Sequence, residues 1–268
     1  MRISSRRIRD KLTAGERVYG ATVGIGSPEI VEIVGYVGFD FVWIDAEHGT
    51  MDLSIIASLI RAADAARIDS IVRVPDHSSS FIHRVLDAGA TGVLVPHVRS
   101  RDDAEAIVAA TKYAPVGVRG ACPGTRGAGR GIEAWTATYE KANAETIVWA
   151  LIEDVEGVDA IEQIVSVPGL DALLFGPIDL AQTLGLGGDL TDPKIQAMAA
   201  QVTKAADAAG VQLIAGPILT KHGGGEAARL RDARIVLGEI DITLLVNGFQ
   251  ESIVSLKEQL PAVAGGAA

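Results

Sequence analysis

Eight short, continuously apolar segments recur along this 268-residue chain, and a stretch with helical periodicity follows each of them. VYGATVG at 18–24 precedes PEIVEIVGYVG at 28–38, where Ser27 can cap and Pro28 can take the first helical position. FVWIDAEH at 41–48 precedes DLSIIASLIRAADAAR at 52–67, whose Leu53, Ile56, Leu59, Ile60 and Ala63 form one apolar stripe. SIVRVP at 70–75, GVLVPHV at 92–98, TIVWALIED at 146–154, DALLFGPIDL at 171–180, VQLIAGPI at 211–218 and RIVLGEI at 234–240 continue the series. Their helices are expected at 79–89, 100–114, 155–167, 192–210, about 226–233 and about 243–260. Strands that are apolar throughout, rather than alternating, are covered on both faces, and the strand-helix repeat then implies a closed parallel sheet wrapped by helices. That architecture is the TIM (β/α)₈ barrel. An open doubly wound sheet fits less well, because no GxGxxG follows the first strand and no P-loop occurs.

One interruption breaks the rhythm. From Pro115 to about Ala144 the chain is polar and glycine-rich around GTRGAGRG, and it has no strand-helix pattern. It reads as an active-site insertion within a single domain spanning residues 1–268. The basic start MRISSRRIRDKL is followed by no apolar core and reads as a short first helix rather than a signal peptide. A hydrophobic content of 48% is enough to bury one full core at this length. A net charge of −10 leaves no surplus of cations for a nucleic-acid backbone. No apolar run approaches bilayer-spanning length, and Cys122 stands alone. The expectation is a cytoplasmic protein that acts on small molecules, with no nucleic-acid or membrane partner.

In such a barrel, catalytic groups come from the carboxyl ends of strands. Strand two ends in Asp45, Glu47 and His48, strand three in Arg73, strand four in His97, strand five in Glu153 and Asp154, and strand six in Asp179. Any one of these could merely cap a helix or begin a turn. Together, Glu153 and Asp179 would close adjacent strands at one height and present two hard oxygens, which suit Mg²⁺ or Mn²⁺. Asp45, three residues before His48, could fix that imidazole as an acid/base pair. Arg73 could meet a substrate carboxylate or enolate, or form a buried ion pair with Glu47; both readings stay open here. His97 is the remaining site histidine, whereas His77, His83 and His222 read as solvated. Arg119, Arg126 and Arg130 flank the glycine-rich loop, which could cradle a phosphate, receive a carboxylate or serve as a mobile lid. No lysine occupies an evident strand end, so a Schiff-base mechanism has no candidate.

FDFVWIDAEHG, IVRVP, GATGVLVPHV, GVRG, LIEDVEGVDAIEQIVSVPGLDALLFGPIDL and LGEIDITLL resemble, in order and spacing, the HpcH/HpaI family of class II pyruvate aldolases. The resemblance covers nearly the whole chain and implies a barrel of the phosphoenolpyruvate/pyruvate type. It further implies a divalent ion, Mg²⁺, Mn²⁺ or Co²⁺, on Glu153 and Asp179. Arg73 would then hold the keto or enolate oxygen of pyruvate, and His48 with Asp45 would act as acid/base. Asp87 would be linked to the site, and the amides around Gly176, Ile178 and Asp179 would receive the pyruvate carboxylate. His97 and Arg119 would contribute to substrate binding.

The implied reaction cleaves or forms 4-hydroxy-2-oxo acids from pyruvate and an aldehyde through a metal-stabilised enolate. The implied assembly is a homo-oligomer, a hexamer, with its last helix exchanged between neighbours. Leu151 departs from members that carry glutamine there. His97, GTRGAGRG and LIED are also similar to the macrophomate synthase branch, which uses oxaloacetate. An oxaloacetate decarboxylase or synthase is therefore the enzymatic rival, and a non-catalytic acid-binding barrel is the rival of another class.

Overall fold

A computed structural model describes residues 7–216 and 233–260. Its eight strands are β1 (Val18–Val23), β2 (Phe41–Asp45), β3 (Asp69–Arg73), β4 (Gly92–Val95), β5 (Ile147–Ile152), β6 (Ala172–Phe175), β7 (Gln212–Ala215) and β8 (Ile235–Ile240). They pair in parallel in chain order, and β8 closes on β1, so the expected barrel is the fold. Helices α2 (Pro28–Tyr36), α3 (Leu53–Ala65), α4 (Ser79–Ala88) and α5 (Arg101–Thr111) follow the first four strands. The pair α7 (Val155–Asp159) and α8 (Ile161–Val165) follows β5, and α9 (Pro177–Thr183) and α10 (Pro193–Ala209) follow β6. The short α1 (Arg7–Thr13) precedes the barrel, α6 (Trp135–Glu145) precedes β5, and α11 (Asp241–Gln259) ends the described chain. The helix expected near 226–233 and His222 lie outside the described residues.

Local chemistry starts and stops these helices. Asp52 accepts the N–H groups of Ser54 and Ile55 ahead of α3, and Ser100 accepts that of Asp103 at α5. Gly89 and Gly210 end α4 and α10 in the left-handed conformation that glycine adopts without penalty. Ser27 does not make the expected cap bond; its hydroxyl donates instead to Glu29.

Because successive side chains of a strand point to opposite faces, each apolar run supplies two cores. One set, including Val42, Ile44, Val72, Val93, Val148, Ala150 and Leu173, packs outward under the helices. The other set, including Phe41, Trp43, Ile71, Leu94, Trp149, Leu151 and Leu174, fills the barrel interior. Ile8 of α1 belongs to this inner cluster and Leu12 packs against it, so α1 stops the amino-terminal end of the barrel. Within it, the Phe41 ring meets Trp149 edge-on at 5.4 Å. Gly20 makes room for that ring, since a Cβ there would lie 2.2 Å from it.

Two stretches depart from the sequence reading. Residues 135–145 form a helix that weak apolar periodicity does not announce; it is held by aromatic and amide contacts. Trp135 packs edge-on against Tyr113 at 5.1 Å, and the Asn143 amide bonds both the N–H and the C=O of Tyr113. DALLFGPIDL is not one strand: β6 stops at Phe175, and Pro177 opens α9. Asp179 therefore lies in the first turn of a helix rather than on a strand end.

Trp149 is the largest of the fully buried side chains among the described residues. Trp149→Ala is expected to cost about 3–5 kcal/mol, read as a lower midpoint in urea unfolding.

Candidate active site

The inward phase of each strand, continued one step past its last apolar residue, delivers the polar residues of the barrel mouth. Phe41 and Trp43 lead to Asp45, Ile71 leads to Arg73, and Trp149 and Leu151 lead to Glu153. The same phase puts Leu151 into the interior as an apolar side chain.

Asp45 and Arg73 are register partners on β2 and β3. Arg73 Nε donates to Asp45 Oδ1 at 2.9 Å, and its Nη2 donates to Oδ2 at 2.5 Å. Nη1 lies 3.0 Å from Glu47 Oε2, and the guanidinium sits 4.9 Å from the Trp43 ring centroid. Arg73 is thus both an ion pair with Glu47 and a cation at the mouth. Each of its two terminal nitrogens has one further N–H beyond those facing these carboxylates.

Burial pushes the Asp45 carboxyl up. The bonds and charge of Arg73, with the N–H groups of His48 and Glu47, outweigh that and hold it below the usual carboxylate range. This corrects the expected Asp45–His48 pair. Asp45 accepts the backbone N–H of His48 at 3.3 Å, while the exposed imidazole faces Glu47, with Nε2 at 3.7 Å from Oε2. The carboxylate that was to orient the imidazole is instead occupied by Arg73.

Glu153 follows β5 and is 4% exposed. Its neighbours come from both adjacent strands: His97 follows β4, and Asp179 follows β6. The His97 backbone N–H donates to Glu153 Oε1 at 3.0 Å, an orientation obtained with a left-handed φ of 54° at this non-glycine residue. The imidazole Nδ1 lies 2.9 Å from Asp154 Oδ2, and Asp154 Oδ1 accepts from Arg99 at 3.0 Å. Nε2 lies 3.8 Å from Glu47 Oε1. Burial pushes the Glu153 carboxyl up to about 7; the His97 N–H and charge oppose this, and the charges of Glu47 and Asp179 add to it. Burial lowers the affinity of His97 for a proton, but the Asp154 bond and the surrounding carboxylates prevail and raise its pKa. Glu47, His97 and Glu153 offer ligand atoms within 4.8 Å of one another, so the donor set fits a divalent ion. From the sequence, Glu47 is a strand-end acid and a candidate ion-pair partner of Arg73, and Asp154 is a strand-end acid. Their part becomes visible once the ends of strands two to five are set side by side.

Other expected site residues are not brought to this mouth. Asp87 stands in the last turn of α4, which runs back from the carboxyl end of β3 to the amino end of β4. Arg119 and the loop 120–131 join α5 to β5 through α6, again on the amino-end side. Arg119 Nη2 donates to Asp87 Oδ1 at 2.7 Å, and its guanidinium stacks 4.5 Å from the Tyr113 ring centroid. Arg126 pairs with the buried Asp64, and Gly127 N–H donates to the Asp87 carbonyl. The glycine-rich segment is therefore anchored to the helix layer at the opposite end of its own barrel, which corrects its placement as an insertion at that barrel's mouth. His83 is not solvated as expected: its Nε2 is buried, and burial followed by the Arg119 charge lowers its pKa. The Gly176 N–H donates to the Ile152 carbonyl, which leaves Ile178 and Asp179, beyond Pro177, as amides at the start of α9.

Residues 23–246 match the family described as HpcH/HpaI aldolase/citrate lyase. A hydroxypyruvate/pyruvate aldolase of Paraburkholderia phytofirmans is 34% identical over 76% of this chain and 80% of its own. A 4-hydroxy-2-oxovalerate aldolase of Novosphingobium aromaticivorans is 42% identical over 66% of this chain and 67% of its own. The crystal structure of an HpcH/HpaI aldolase from Desulfitobacterium hafniense DCB-2 superposes with a TM-score of 0.86 at 31% identity, covering 96% of this chain and 98% of that one.

Two outcomes follow from these charges. Arg73→Ala leaves the carboxylates of Asp45 and Glu47 uncompensated and is expected to cost about 3–5 kcal/mol. An unchanged urea midpoint would show that the pair carries no such weight. Glu153 holds its proton up to about 7, against an ordinary value of 4.5. Between those values the folded chain binds more protons than the unfolded one, so this residue makes stability fall as pH rises. Glu153→Gln should flatten that part of the melting temperature profile of the metal-free protein.

Proposed function

This chain belongs to the HpcH/HpaI aldolase/citrate lyase family and is a carbon–carbon lyase, and on that premise we propose that it cleaves and forms 4-hydroxy-2-oxo acids from pyruvate and an aldehyde. One observation carries the reading: a buried carboxylate, Glu153, sits between His97 and Asp179 in the same mouth as the Arg73 guanidinium. Such a mouth pairs a place for a cation with a fixed positive charge, which is what a 2-oxo acid and its enolate require.

Glu153 and Asp179 would hold the divalent ion, for which Mg²⁺, Mn²⁺ and Co²⁺ are the candidates. When bound, the ion supplies Lewis-acid stabilisation to the developing enolate. Arg73, braced by Asp45 and Glu47, turns its remaining N–H groups to the keto oxygen and adds a charge that does not reorganise during the reaction. Ile178 and Asp179 offer backbone N–H groups to the carboxylate. His48, exposed at the mouth, takes the C4 hydroxyl proton in cleavage and returns it in synthesis. The electron pair of the C3–C4 bond then passes to the pyruvate portion. Among the described residues no lysine stands at a strand end, and the buried Lys112 is bonded to the Asn143 and Thr146 carbonyls.

Asp87 and Arg119 reach a mouth only if a neighbouring copy presents its own, and the exposed Val116, Val118 and Ile132 of the same segment suit such a contact. A homo-oligomer also accounts for α11. Only Asp241 of that helix is buried, while Ile242, Leu244, Leu245, Val246 and Phe249 are exposed. Tyr19, on the outward phase of β1, is 45% exposed where a packed last helix would cover it. Exchange of α11 between copies would cover both surfaces, and a hexamer is the assembly we expect.

Metal-stripped protein with added Mg²⁺, Mn²⁺ or Co²⁺ should release pyruvate from a panel of 4-hydroxy-2-oxo acids, read with lactate dehydrogenase. Chelator should abolish release, and borohydride with substrate should not inactivate. Activity that survives chelation would remove the ion from the mechanism, and release from oxaloacetate alone would mark a decarboxylase.

A further inference from the structure

We propose that Trp43 is a positioning residue for the reaction: its indole face fixes the plane of the Arg73 guanidinium, and with it the direction of the N–H groups that meet the oxo acid. The inference rests on the preceding reading, because it presumes that Arg73 receives the keto or enolate oxygen, and it adds a residue that acts only through Arg73.

Sequence and register set the contact. Trp43 and Asp45 are two residues apart on β2 and share the inward phase, and Asp45 is the register partner of Arg73 on β3. The ring therefore lies one layer below the guanidinium, whose carbon stands over it at 4.9 Å from the centroid. Trp43 is buried, with Thr22 of β1 and Ile71 of β3 as its register partners. Swinging the indole aside would open a cavity in the inner cluster to which it belongs.

The carboxylates alone do not define the guanidinium. Asp45 accepts from Nε at 2.9 Å and from Nη2 at 2.5 Å, and Glu47 Oε2 lies 3.0 Å from Nη1. These contacts run along the edges of a planar group. Carboxylate oxygens accept over a broad range of directions, so small tilts of the plane cost these bonds little. The same tilts redirect the N–H groups left over on Nη1 and Nη2. A flat indole under one face removes that freedom, and a displacement of about 1 Å at such a group can cost about a hundredfold in rate.

The choice of side chain points the same way. Trp43 Nε1 is buried without a hydrogen-bond partner among the described residues, a cost that a phenyl or aliphatic side chain in its place would not carry. What the indole adds is the strongest attraction for a cation among side-chain rings, and that attraction grows where water is excluded. Arg73 meets the condition, its side chain being 11% exposed. An aliphatic side chain could fill the layer, but only a π face also orders the charge above it.

The test uses full-length protein with Mg²⁺ and a 4-hydroxy-2-oxo acid that it cleaves. Trp43→Leu should lower kcat by about tenfold to a hundredfold, with a smaller change in KM. It should also weaken oxalate, which mimics the enolate, more than pyruvate. Trp43→Phe keeps a ring and should recover most of the loss. Fluorinated tryptophans placed at position 43 alone keep the shape of the indole and thin its negative face, so kcat should fall stepwise with each added fluorine while circular dichroism shows the fold retained. A role in packing alone would follow side-chain volume and leave the fluorinated series level. A level kcat across that series, or equal losses in Trp43→Leu and Trp43→Phe, would overturn the inference and leave the aldolase reading intact. Wild type that releases pyruvate from no hydroxy-oxo acid would overturn both.

Discussion

The alternation of side chains along a strand, carried around a closed barrel, is the constraint on which the rest of this structure depends. It sends every second residue inward, where Phe41, Trp43, Ile71, Trp149 and Leu151 pack against one another and exclude water. The same phase then sends Asp45, Arg73 and Glu153 to the carboxyl end of that packed interior. Their positions are rigid because the layer beneath them cannot rearrange without opening cavities. The chemistry at the mouth therefore takes its geometry from apolar packing.

Electrostatics completes what packing begins. Two carboxylates, Asp45 and Glu47, crowd one guanidinium, and Arg73 spends itself on both. Glu153 is left with a backbone N–H and a histidine as its partners, and burial raises its proton affinity to about 7. A buried group in that condition favours either a proton or a cation, and the first is readily displaced by the second near neutral pH. The imbalance of charge at the mouth is what makes it a place for a metal ion.

The barrel was legible in the sequence because its signal is repetitive: eight apolar runs with helical stretches between them leave few topologies. The polar strand ends were legible for the same reason, since Asp45, Arg73 and Glu153 continue the inward phase of their strands. Partner choice was not. Asp45 and His48 are close in sequence, whereas Asp45 and Arg73 are neighbours only through strand register, which no local spacing displays. Asp179 was placed on a strand because GPIDL is apolar enough to extend one, and only the proline-initiated α9 moves it to a helix. The helix at 135–145 was missed because its anchors, Trp135 on Tyr113 and Asn143 on the Tyr113 backbone, are long-range contacts rather than a periodic stripe.

Which end of the barrel a loop occupies is the remaining distinction, and it bears on how the chain divides its labour. Segments after strands face the mouth, while segments after helices face the opposite end, so Arg119 and the glycine-rich loop cannot line the mouth beneath which they are encoded. They are nevertheless built with care: Arg119 is bonded to Asp87 and stacked on Tyr113, and Arg126 is paired with Asp64. Such anchoring stiffens a segment that still exposes Val116, Val118 and Ile132. A rigid, partly apolar loop at the amino end is suited to a surface outside its own barrel. Strand ends would then fix the chemistry shared with relatives, and a neighbouring copy would shape the space left for the aldehyde.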